Sequence, residues 1–144
     1  MTSSASAPLK LLLSVHASRI WGSRIAAAVP GRELTFVTAE EALASGSPCD
    51  ADIAFMTREV TGRSSKGNPT PELIGFDTVL RAAPRLRWLQ IHPAGAERPI
   101  YRELRARGVK VTTASGATAT WPLPAPRWAK KRSRQRGQRA GRCR

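Results

Sequence analysis

Residues 86–115, "LRWLQIHPAGAERPIYRELRARGVKVTTAS", decide the fold. Leu86–His92 is a short apolar run of strand length. A small-residue turn, Pro93-Ala94-Gly95-Ala96-Glu97, follows it. From Arg98 to Gly108 the spacing of Ile100, Tyr101 and Leu104 is helical, with Pro99 in the first turn and Gly108 at the C-terminal end. Val109–Ser115 is a second run rich in β-branched residues. A strand, a helix and a strand, each with little spare chain between, can be joined only as a parallel βαβ unit.

The rest of the first 115 residues repeats that unit. "LKLLLSVH" (9–16), "ELTFVTA" (33–39) and "DIAFMT" (52–57) read as strands. "ASRIWGSRIAAAV" (17–29), "EEALAS" (40–45) and "ELIGFDTVLRAA" (72–83) read as helices, the first ended by Pro30-Gly31 and the third by Pro84. Between Arg58 and Pro71 the sequence predicts a polar loop. The strands are nearly continuous apolar runs, not alternating ones, so the sheet is buried on both faces. The expected fold is α/β, a flavodoxin-like doubly wound parallel sheet of about five strands.

Charge divides the 144 residues at about Thr120. The formal net charge is +14, but residues 120–144 hold nine Lys/Arg and no Asp or Glu, whereas residues 1–119 carry 15 basic and 10 acidic side chains. The body is therefore an ordinary mildly basic domain, and the high pI comes mainly from the tail. Pro122, Pro124 and Pro126 exclude a regular helix, and the basic run after them has no apolar face. Residues 1–8 are expected as a flexible N-terminus, 9–119 as the domain and 120–144 as a disordered basic tail. No apolar run approaches the roughly 18–20 residues of a membrane span. "LLLSV" is too short for the apolar part of a secretion signal, and no charged segment precedes it. Two cysteines, Cys49 and Cys143, make no C-x-x-C pair. A cytoplasmic protein without a disulfide, a zinc site or a membrane partner is expected.

In a doubly wound sheet, ligands sit at the C-terminal ends of the strands. The candidates there are His16, Arg58 and the loop Pro93, Ala94, Gly95 and Ala96. Backbone N–H groups in such a loop, beside a helix N-terminus, suit a carboxylate or phosphate, and a tight connecting turn is the plain alternative. Arg58 is placed to pair with an anionic substrate or to be solvated. His16 and His92 are expected at neighbouring strand ends, but two histidines without a carboxylate or cysteine cluster do not make a metal site. "GRSSKGN" (62–68) misses the phosphate-binding loop, because Asn68-Pro69 stand where Lys and Ser/Thr are required. No G-x-G-x-x-G and no G-x-S-x-G occurs.

Four features in order give the chain a likeness: Leu86-Arg87-Trp88-Leu89-Gln90, the Ala94-Gly95-Ala96 loop, the Arg107-Gly108-Val109 helix end and the Val111–Gly116 strand. Together with "ADIAFMTREV" (51–60), they resemble the N-terminal, substrate-binding domain of D-isomer-specific 2-hydroxyacid dehydrogenases, over residues 9–119. The resemblance implies a flavodoxin-like domain whose Pro93–Ala96 loop holds the carboxylate of a 2-hydroxy or 2-oxo acid through N–H groups. It also implies an NAD or NADP cofactor bound by a second domain, which carries the family's catalytic arginine, glutamate and histidine. No catalytic or cofactor-binding residue is therefore assigned here, and the chain alone is expected to bind no NAD and to be inactive. The family often has Asn at the position of Thr113, so no hinge role is carried over to it.

After Ala119 the family continues into an apolar helix, while this chain turns to Trp, Pro, Ala and Arg. That composition reads as GC-rich DNA translated out of frame, a truncation by frameshift near Thr118–Trp121. The alternative is a working tail. Its cations would bind nucleic acid or another polyanion without sequence preference, with Trp121 and Trp128 stacking on bases. Translating the other two frames downstream of codon 118 distinguishes these. A frameshift is expected to uncover an apolar helix followed by G-x-G-x-x-G, and the absence of both in either frame rejects it.

Overall fold

The computed structural model describes residues 7–62, 64–65, 67–92 and 97–114. The loop 93–96 and the tail 120–144 lie outside the described residues, as do Met1–Ser6 of the N-terminus. The elements run β1 (Leu9–Leu13), α1 (Val15–Ala28), β2 (Leu34–Thr38), α2 (Ala39–Ser45), β3 (Ile53–Met56), α3 (Arg58–Thr61), α4 (Pro71–Arg81), β4 (Trp88–Ile91), α5 (Pro99–Ala106) and β5 (Lys110–Thr113). The five strands form one sheet in the order β2-β1-β3-β4-β5, every pair parallel. This is the flavodoxin-like order, with its topological switch point between β1 and β3.

Alternation along the strands divides the core in two. Leu12, Ala54, Met56, Leu89 and Ile91 turn to one face, where α3, α4 and α5 bring Val60, Phe76, Leu80, Ile100, Tyr101 and Leu104. On the opposite face Leu11 and Leu13 meet Ala17 of α1, with Phe36, Ile53 and Phe55 partly buried around them. The Tyr101 hydroxyl, deep in the larger core, reaches Met56 Sδ at 3.6 Å. At the N-terminal edge Asp52, 4 % exposed, accepts from the Lys10 backbone N–H at 3.1 Å and from Arg85 Nη2 at 3.2 Å. That pairing ties β1, β3 and the approach to β4 together.

At the ends of β1 and β2 a polar residue caps the helix that follows. Ser14, expected inside β1, accepts from Ala17 N–H at 3.0 Å and starts α1. Thr38 accepts from Glu41 N–H at 3.3 Å and donates to its carboxylate at 2.7 Å, a reciprocal cap that starts α2 at Ala39. His16 therefore lies in the first turn of α1 and not at the end of a strand. The expected loop after β3 contains a one-turn helix, α3. Its only buried side chain is Val60, too brief a pattern to show periodicity. Gly108, at φ 85°, adopts the left-handed conformation that closes α5 and lets Val109 N–H bond to Leu104 O at 3.0 Å.

Leu89 is fully buried in β4 between two neighbouring strands. Leu89→Ala is expected to cost about 2–5 kcal/mol in urea denaturation. Ile74→Ser, at a side chain 52 % exposed on α4, is expected to stay within about 0.5 kcal/mol. Equal costs would contradict this division into core and surface.

Candidate functional site

At the switch point two connections leave neighbouring strands at the same edge. Ser14, Val15 and His16 follow β1, and Thr57, Arg58 and Glu59 follow β3. Glu59 joins them. Its Oε1 accepts from Ser14 Oγ at 2.7 Å and from Thr57 Oγ1. Burial pushes the Glu59 carboxyl up. The hydroxyls of Thr57 and Ser14, its own N–H and the charge of His16 together outweigh that, so it titrates below the ordinary glutamate range. From α2, Glu40 accepts from Val15 N–H at 3.0 Å. The N–H groups at the start of α1 are thus taken by Glu40 and by the Ser14 hydroxyl.

Of the sequence candidates, Arg58 opens α3 at this edge. It is exposed and makes no side-chain hydrogen bond or ion pair among the described residues. His92 follows β4, the next strand over, and is also exposed; its backbone N–H reaches Met56 O at 3.0 Å. His16 stands near Glu59 and is exposed. Pro93, Ala94, Gly95 and Ala96 lie outside the described residues, but the chain enters them at His92 and leaves them at Glu97. No group of three or more His, Cys, Asp or Glu among the described residues is placed to hold a metal ion.

Sequence reasoning missed Glu59 and the pair that fixes the far side of the 93–96 connection. The helix-starting serine and the acidic first turn of α3 were the available signals for Glu59. Arg98, immediately before α5, donates to Asp77 of α4 through Nη1 at 3.3 Å and Nη2 at 2.5 Å, and lies 5.7 Å from the centre of the Tyr101 ring. Asp77 is 6 % exposed. Burial pushes its carboxyl above the ordinary aspartate value, and Arg98 pulls it back without cancelling the rise. Beside this pair is a cavity of about 660 Å³ lined by Thr61, Ser64, Leu73, Arg98 and Arg102. No spacing links Asp77 to Arg98 in the sequence, since they sit on different helices.

Two carboxylates, those of Glu59 and Glu40, already take the donors at this edge. Its hydroxyls already serve helix caps and Glu59. A dinucleotide does not fit the first βα turn. That turn, Leu13-Ser14-Val15, has no glycine to let a pyrophosphate approach, and Glu40 places a carboxylate on the N–H a phosphate would need.

Removing Arg98 leaves Asp77 buried without its cation. Arg98→Ala is expected to destabilise the domain at pH 7, toward the lower end of the about 3–5 kcal/mol typical of a broken buried pair, because Arg98 itself is partly solvated. In the variant the raised carboxyl rises further. Folding then favours its protonated form, and the deficit should shrink as pH falls from neutrality toward the ordinary aspartate range. Denaturant titrations of both proteins across that window check it, and a deficit that grows on acidification would refute the pairing. No family model matches the sequence, no curated protein matches it and no solved structure matches it.

Proposed function

We propose that residues 9–119 act as the carboxylate-holding domain of an NAD(P)-dependent D-2-hydroxyacid dehydrogenase, an oxidoreductase acting on the CH–OH group of 2-hydroxy and 2-oxo acids. The observation that supports this reading is where the chain passes from His92 to Glu97. It leaves β4 at the ligand-binding edge of a 2-1-3-4-5 sheet, next to the strand that carries Arg58. Both flanks are anchored, one by His92 N–H on Met56 O and the other by Arg98 on Asp77. The N-cap residue of α5, Arg98, makes no side-chain cap, and the positive end of the helix dipole lies at that edge.

In this reading Ala94, Gly95 and Ala96 offer backbone N–H groups to the substrate carboxylate, with Pro93 shaping the turn and Arg58 adding a cation. The nicotinamide, when bound by its own domain, supplies or accepts the hydride at C2. These residues contribute position and charge only. In this reading the cofactor belongs to a second domain, and no residue of this chain is assigned to it. A cytoplasmic location accompanies the reading. It is supported by the free thiol of Cys49 and by the lack, among the described residues, of a helix long and apolar enough to cross a membrane. Nonspecific polyanion binding by residues 120–144 is a separate property, supported by nine cations with no acid among them.

Glyoxylate titrated into the isotope-labelled chain tests the proposal. The amide resonances of Ala94, Gly95 and Ala96 are expected to shift, and Arg58→Ala to weaken the effect. NADH absorbance at 340 nm is expected to stay constant when both ligands are present. Shifts confined to residues 127–144 would reduce the interaction to the charge of the tail. Oxidation of NADH above a tag-only control would place a cofactor site where this reading has none.

A further inference from the structure

The two faces of the sheet are covered unequally. α2, α3, α4 and α5 pack into one continuous core with one face, whereas α1 lies over β1 and β2 on the other. Register pairs Ile53 with Trp88 and Trp88 with Lys110, and likewise Phe55 with Gln90 and Gln90 with Thr112. Paired residues in a parallel ladder point to the same side. Those six side chains form a stripe on the face that α1 covers in part: Ile53 and Phe55 pack beside the cluster of Leu11, Leu13 and Ala17, and Trp88, Gln90, Lys110 and Thr112 are not part of that cluster. Ile53 and Phe55 are only partly buried, and Trp88 is 40 % exposed.

Three side chains of this stripe bond to one another or to the strand. Trp88 Nε1–H donates to Thr112 Oγ1 at 2.7 Å, Thr112 donates to Gln90 Oε1 at 2.5 Å, and Gln90 Nε2–H donates to Ile91 O at 3.1 Å. A cover would still have to meet the second Gln90 amide proton and the Lys110 ammonium, so it needs polar or acidic groups at its edge. One border of the stripe is α1. Trp21 stands there between Ala17 and Ile25 on the same helical row, 42 % exposed, with the Arg24 guanidinium 5.0 Å from its ring centre. Lys110 of β5 forms the other border and is exposed. No carboxylate belongs to this face of any strand among the described residues.

Strand spacing makes the stripe about 10 Å across from β3 to β5, and its four-residue strands make it about 13 Å long. That width matches one α-helix with its side chains. The area falls well short of the roughly 800 Å² per partner that a stable dimer buries, so a second copy is not favoured. Residues 115–144 contain no Asp or Glu to meet Arg24 and Lys110. We propose that the stripe docks a single amphipathic helix of another polypeptide, its apolar row on Phe55 and Trp88 and its carboxylates along both edges toward Arg24 and Lys110.

Fluorescence anisotropy with the full chain tests this. The probe is a labelled helical peptide of about 18 residues, with leucines on one face and glutamates along both edges. A second peptide of the same composition, scrambled to abolish the apolar face, measures what basic residues 120–144 bind through charge alone. The first peptide is expected to bind at least about tenfold more tightly than the second. Trp88→Glu should erase the difference, and Lys110→Glu, at an exposed position where folding is not at stake, should reduce it. Equal binding of the two peptides overturns the proposal. So does a dimer in sedimentation that Trp88→Glu dissolves, which assigns the face to a second copy. Binding that emerges only in Trp121→Ser also overturns it, since the chain's own C-terminal segment would then be the cover.

Discussion

Leu11, Leu12 and Leu13 are each 7 % exposed or less, yet they point alternately to opposite sides of the sheet. A strand buried on both sides has no solvent face, and its backbone groups need strand neighbours on both edges. β2 satisfies one edge of β1 and β3 the other, each in parallel register. Parallel pairing forces a crossover between them, and right-handed crossovers in opposite directions put α1 on one face and α2 on the other. The divergence of those two connections is the switch point. The Ser14–Glu59 part of the candidate site stands on the ends of β1 and β3 because the leucines hold those strands side by side.

The chemistry of that edge is largely consumed by architecture. Ser14, Thr38 and Thr57 stand at the strand ends but are buried and engaged: Ser14 and Thr38 cap helices, and Ser14 and Thr57 hold Glu59. The Ser14 and Thr57 hydroxyls both donate to the Glu59 carboxylate. Arg58, His16 and His92 are exposed at this edge.

Much of the fold was legible because buried parallel strands are written as apolar runs, and "LLL", "IAFM" and "WLQI" mark three of them. Strand ends were less legible, since Ser14, Thr38 and Thr57 read equally well as the last strand residue or as a helix cap, and the competition is settled by the N–H groups of the next turn. α3 was hidden because one turn with one buried valine has no period to detect. The loop 93–96 was visible as glycine and alanine between a strand and a helix, whereas Glu59, Asp77 and Arg98 were not visible as a set. Their partners lie on other elements, and only the packing of α4 against α5 brings Asp77 to Arg98. The unequal covering of the sheet was equally silent, because a partly exposed Phe55 and a buried Leu89 look alike in a run of apolar residues.

The all-parallel order also governs how the chain comes together in time. No two of these strands can meet through a hairpin. The least separated partners, Trp88 and Lys110, are already 22 residues apart, while β1 must wait for residues beyond 50 before its second edge is filled. High contact order of this kind slows folding, because loop closure comes before the contacts that reward it. During synthesis β1 and β2 can associate under α1 as a first unit while the inner edge of β1 stays open. In that interval the three leucines that hold the finished sheet are its most aggregation-prone surface.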